Sequence, residues 1–155
     1  MPRTSTMRCL AFSTLIVLAA LAARPALAAR AYCPNAAHTQ PAKVPPNLVS
    51  KVAATFHIDS AAARQAAFVR CAGQTLMACY VGANLVCGKA DKRRALAGAT
   101  AWCRAHPGAK VVPMAATGHA TIYDWSCKGR RAVAGKPLVA VDRHGYIAGN
   151  WRKVQ

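Results

Sequence analysis

Six cysteines, Cys33, Cys71, Cys79, Cys87, Cys103 and Cys127, stand downstream of an export signal. No other feature of the sequence limits the fold as tightly. An even set of cysteines in an exported chain predicts three disulfides. Sequence leaves most of the pairing open. Cys103–Cys127 is favoured, as a link from helix to sheet. Cys87–Cys103 is disfavoured, because a helix over 91–106 would hold the two well beyond the roughly 7 Å Cα limit for a bridge. Zinc sites and redox centres usually need Cys-x2-Cys. Here the closest cysteines are eight positions apart. The spacing points to no metal and no cofactor, so the six thiols read as a framework.

The export signal has three parts. Arg3 and Arg8 supply the positive start, and residues 10–23 are apolar apart from Ser13 and Thr14. Arg24-Pro25 ends the run, and Ala26-Leu27-Ala28 matches the small-x-small cleavage pattern. A spanning helix needs roughly 20 apolar residues, and this run is shorter. Residues 1–28 are expected to be removed, taking Cys9 with them, and no lipid-anchor box precedes Cys9 or Cys33. The address is periplasmic or secreted. The rest divides into an irregular N-terminal arm, 29–46, rich in proline, and a single domain, 47–155.

The whole chain has a net charge of +17 and contains no glutamate. After cleavage, 18 of the 21 Lys and Arg remain, against Asp59, Asp91, Asp124 and Asp142. Such an excess attracts anionic surfaces over a range of roughly 8–10 Å at physiological salt. The partner class is an anionic envelope component or an acidic protein, with nucleic acid as a non-specific alternative. Glycoside hydrolysis, which usually needs two placed carboxylates, is disfavoured by four widely spaced aspartates.

Periodicity gives an α+β pattern. Asn47 is a candidate N-cap, and Leu48, Val49, Val52 and Phe56 share a helical face to about His57. Asp59-Ser60 opens a short helix over 60–66. Residues 68–71 and 75–81 flank Ala72-Gly73 as strand, turn and strand. A loop follows over 82–90. Asp91 is expected to cap the main helix, 92–106, closed by His106-Pro107-Gly108. Residues 111–113 read as a short edge segment. Strands are expected over 121–127, 132–133, 138–141 and 146–151. The expected fold is a small antiparallel sheet with one main helix packed on it, stapled by disulfides.

Three features are candidate sites. Gly82 to Lys89 superficially resembles a phosphate loop, but it has one residue too many between its glycines. Ala90 also stands where Ser or Thr is required. Lys89, Lys92, Arg93 and Arg94 crowd the expected helix start, where free amides and cations together form a candidate anion site. Tyr123 and Trp125 alternate along one strand and make a candidate aromatic face. Among the histidines, His119 and His144 lie near strand ends. On a basic secreted scaffold they are candidates for nuclease-like acid–base chemistry.

Several stretches together carry a resemblance. They are Gly82-Ala83-Asn84-Leu85-Val86-Cys87-Gly88-Lys89-Ala90-Asp91, Trp102-Cys103-Arg104, Gly118-His119-Ala120-Thr121-Ile122-Tyr123-Asp124-Trp125-Ser126-Cys127, and Val141-Asp142-Arg143-His144-Gly145-Tyr146-Ile147-Ala148. The chain resembles a group of small exported alphaproteobacterial proteins over residues 68–152. The resemblance implies a periplasmic address in a Gram-negative cell and assigns no chemistry to any residue. The leading expectation is a monomeric, non-enzymatic binding or inhibitory module for an anionic envelope partner. The alternatives are a small nuclease-like hydrolase using His119 and His144, and a structural envelope protein.

Overall fold

The computed structural model describes residues 32–34, 38–82 and 85–155. The export signal expected over 1–28 lies outside the described residues. The fold is α+β, with antiparallel strands in two sheets. A four-stranded sheet has the order β1 (Ala42–Lys43), β2 (Ala67–Ala72), β3 (Thr75–Tyr80), β6 (Arg152–Lys153). A separate hairpin pairs β4 (Tyr123–Lys128) with β5 (Arg131–Pro137).

The stretch expected to be an irregular arm is woven into the first sheet. Ala42 pairs with Val69 and Lys43 with Phe68. The His38 carbonyl accepts the Cys71 amide at 2.8 Å, and Gln40 accepts the Tyr146 hydroxyl at 2.8 Å. A 3-10 turn, Pro46–Leu48, then leads into α1 (Val49–Phe56). Asn47 therefore lies inside that turn and does not cap α1. His57 ends α1 in the left-handed conformation, φ 55°. Asp59 caps α2 (Ser60–Ala66) as expected, its Oδ1 accepting the Ala62 amide at 2.7 Å.

Both faces of the β2–β3 hairpin are covered, which explains its nearly continuous burial. Successive side chains on a strand point to opposite faces. Val69, Cys71, Leu76 and Ala78 join Leu48, Val49 and Val52 in the main core. A fully buried Val or Leu contributes about 1.5–3 kcal/mol. On the other face, Cys79 meets Cys87, Tyr146 and Trp151, with Phe68 and Met77 beside them. Residues 138–141 and 146–151, expected as strands, instead form an isolated Val141–Ile147 bridge and a 3-10 turn, Ala148–Asn150. In the second stretch Tyr146, Ile147 and Trp151 are buried, whereas Leu138 and Val139 in the first are exposed.

The main helix, α3, spans Ala97–Ala105 and packs on the β4–β5 hairpin. It begins five residues later than expected. Asp91 caps nothing there: its carboxylate takes the Arg93 amide and guanidinium, and its backbone bridges Thr121. The N-cap position is Leu96. A short helix, α4 (Met114–Thr117), crosses α3 at Gly98, where an added Cβ would fall on the Ala116 carbonyl oxygen. The intervening strand-like segment at 109–112 lies along β4. Ala109 accepts the Cys127 amide at 2.8 Å, and the Val112 amide donates to Trp125 at 2.9 Å.

The disulfides are Cys33–Cys71, Cys79–Cys87 and Cys103–Cys127. The helix-to-sheet bridge is formed as expected, and Cys87 turns back to Cys79. Peptide mapping without reduction is expected to return these three pairs. Removing the third with Cys103→Ala and Cys127→Ala should cost about 2–4 kcal/mol in denaturant titration. Gly98→Ala should cost about 1–3 kcal/mol through overpacking of α3 against α4, read in the same titration.

Candidate functional site

Leu85, Val111, Met114, Leu138 and Val139 are exposed large apolar side chains, and all five line one groove of about 610 Å³. The sixth such side chain among the described residues, Val81, lines an adjoining depression that shares Leu85. Scattered exposed apolar residues are ordinary, but a contiguous patch marks a contact surface. Local structure gathers them. Segment 109–112 is held to β4 through Ala109 and Val112, which leaves Val111 pointing outward and 71% exposed. The close approach at Gly98 sets α4, and with it Met114, on one wall. Pro137 ends β5, and the Leu138 amide then crosses to the Ile122 carbonyl at 2.7 Å, bringing Leu138 and Val139 to the groove lining. A separate depression of about 570 Å³, over α1, is lined by Ser50, Lys51, Thr55 and Arg152 and holds none of these six side chains.

Tyr123 and Trp125 belong to the groove, but not as an exposed platform. Trp125 is 4% exposed, packs in the hairpin core with Leu96 and Cys103, and donates its indole N–H to the Thr121 hydroxyl at 2.9 Å. A register irregularity separates it from Tyr123. Tyr123 is half-buried, with the Arg94 guanidinium 4.4 Å from its ring centroid.

The four cations expected at a helix start are dispersed. Helix α3 begins beyond all of them, so the helix-end geometry for an anion is not formed there. Lys89 lies 4.1 Å from the Tyr146 ring centroid and donates to the His144 carbonyl. Lys92 is exposed. Arg93 binds Asp91 and lowers its carboxyl below the ordinary range; burial opposes that shift without reversing it. Arg94 reaches the Ala134 and Gly135 carbonyls.

His119 and His144 are not brought together. The extended segment 89–91 runs between their loops. The Ala90 amide bonds Gly145 on one edge, while the Asp91 amide and carbonyl bond Ala120 and Ile122 on the other. His119 lines the groove, whereas His144 lies in the 142–145 turn, its Nε2 facing Arg143 Nε at 3.1 Å. Among the described residues no cluster of three or more His, Cys, Asp or Glu is placed to hold a metal ion, and no helix is long and apolar enough to cross a membrane.

Comparison with protein-family models, with curated proteins and with solved structures finds no match.

Sequence reasoning missed the groove and Lys110 at its edge. The run Val111-Val112-Pro113-Met114 was the available signal, since only Val112 of the four is buried. It also missed the polar anchor behind the groove. Arg70, 1% exposed on β2, pairs with Asp142 and packs against the Tyr146 and Trp151 rings, its Cζ 4.3 and 4.4 Å from their centroids. Burial pushes the Asp142 carboxyl up. The Tyr146 amide, the Arg70 guanidinium and the His144 amide outweigh it and hold the carboxyl below its ordinary value. Because the folded value lies below the unfolded one, this stabilisation is fully present above about pH 4. It is lost as pH falls through the folded value. Asp142→Asn leaves Arg70 buried without its counter-charge. We expect about 3–5 kcal/mol lower stability at pH 7 and a smaller further loss at pH 3 than in the parent chain, both measured by denaturant titration.

Proposed function

We propose that the chain is a non-enzymatic binding module of an oxidising, extracytoplasmic compartment that engages an anionic partner. The observation that carries this reading is the coincidence of charge and groove. Residues 92–141, which build α3, α4, the hairpin and most of the groove, contain nine Lys and Arg and one acid, Asp124. The turn after α3 meets the hairpin tip, where the Gly108 amide donates to Gly129 at 2.9 Å. Arg104, Lys110, Lys128, Arg130 and Arg131 are exposed on these neighbouring segments. Lys92, Arg93 and Arg94 extend the same basic half, although Arg93 is partly neutralised by Asp91. An uncompensated field of this kind raises the encounter rate with anions and falls with ionic strength. The three disulfides suit an oxidising compartment.

The hairpin tip is the cleanest test, because Arg130 and Arg131 are exposed and far in sequence from the buried anchor. Arg130→Glu with Arg131→Glu should elute from heparin at clearly lower salt and lose binding to vesicles containing phosphatidylglycerol, with unchanged near-UV circular dichroism. Retention equal to the parent chain on both matrices would refute the reading.

A further inference from the structure

We propose that the groove binds a single-chain anionic amphiphile, a long-chain carboxylate, with its alkyl chain along the groove and its head at Lys110. The inference rests on the binding-module reading and names the ligand class for its groove.

Shape comes first. A concavity of about 610 Å³ falls inside the roughly 300–1,000 Å³ range of small-molecule sites. Surfaces that insert into a bilayer project their apolar side chains from a convex helix face. Here they line a concavity together with Trp125 and Ile147, which are buried.

Hydrogen bonding comes second, and it separates an alkyl chain from a peptide. A peptide laid in a groove brings backbone N–H and C=O groups that need partners. Three polar side chains of this lining are already engaged. The Thr121 hydroxyl accepts from the Trp125 indole, the Thr117 hydroxyl donates to Gly118 at 3.4 Å, and the Asn150 amide donates to Val86 at 2.9 Å. An alkyl chain needs no such partner and gains about 0.8 kcal/mol per buried methylene.

Charge comes third. The lining holds one acid and one lysine, Asp124 and Lys110. The Asp124 carboxylate lies against Gly135, leaving no room there for a Cβ, and the Arg94 guanidinium reaches the Gly135 carbonyl. Arg94 and Asp124 thus both lie at Gly135, with no ion pair between them. Lys110 is exposed, and among the described residues no carboxylate lies within ion-pair distance of it. Its compact ammonium suits a carboxylate head.

The test is calorimetric titration of the mature, oxidised protein with sodium laurate below its micelle concentration, with dodecan-1-ol as the uncharged probe. Saturable binding of laurate, with the alcohol at least tenfold weaker, is expected. Lys110→Gln should weaken laurate roughly tenfold, and Val111→Asp with Leu138→Asp should abolish binding. Both apolar positions are about 70% exposed, 71% and 69%, so the substitutions spare the core, and near-UV circular dichroism confirms folding. The Arg130→Glu, Arg131→Glu variant should still bind laurate. No saturable heat from folded protein, equal binding of alcohol and laurate, or binding to phosphatidylglycerol vesicles without binding to laurate would each overturn the proposal. Heparin retention with no laurate binding would overturn it alone and leave the binding-module reading in place.

Discussion

A guanidinium buried on a central strand is the constraint around which the rest of the molecule is arranged. Arg70 sits on β2, where both sheet faces are covered, and carries its charge into an apolar layer. A lone buried charge would cost several kcal/mol. Asp142 supplies the counter-charge, and the Tyr146 and Trp151 rings, set edge to face against each other, pack beside the guanidinium. Arg70 Nε and Nη1 have no hydrogen-bond partner among the described residues, so the aromatic faces and the single carboxylate bear the whole solvation of that group. Residues 142–151 are held to the first sheet by this arrangement and by Cys79–Cys87 packed next to Tyr146.

From that layer the chain reaches the second half through segment 89–91. One edge of the segment bonds Gly145 and the other bonds Ala120 and Ile122. The strand start at 120–122 then leads into β4, whose Trp125 packs against α3 and forms the groove floor. The groove thus has a rigid base, with its apolar walls contributed by segments outside the strands, at 111, 114 and 138–139. Such an arrangement places exposed apolar side chains on connecting segments held by a scaffold.

Sequence carried the α+β class, the β2–β3 hairpin, the Asp59 cap and the Cys103–Cys127 bridge because each depends on local chemistry or on short spacing. The start of α3 was not legible. Asp91 has the residue type of a cap, but Arg93 two positions on competes for its carboxylate, and its backbone is claimed by a distant strand. Residues 146–151 mimic a strand because Tyr146, Ile147 and Trp151 are buried by tertiary contacts, which periodicity cannot distinguish from sheet pairing, and 138–141 mimics one through an apolar run that stays largely exposed. The groove was illegible for a related reason. Valine and leucine read as core, and only packing decides that Val112 goes in while Val111 and Leu138 stay out.

From Cys33 onward, the disulfides pair cysteines that are neighbours in chain order: Cys33 with Cys71, Cys79 with Cys87, Cys103 with Cys127. No bridge encloses another or crosses it. Oxidation of these thiols in chain order produces the native connectivity directly, with no wrong bond to be reshuffled by thiol–disulfide exchange. The connectivity also leaves no covalent tie between the four-stranded sheet and the β4–β5 hairpin. Each half is cross-linked within itself, and their mutual placement is left to the backbone bonds of segment 89–91 and the packing beside it.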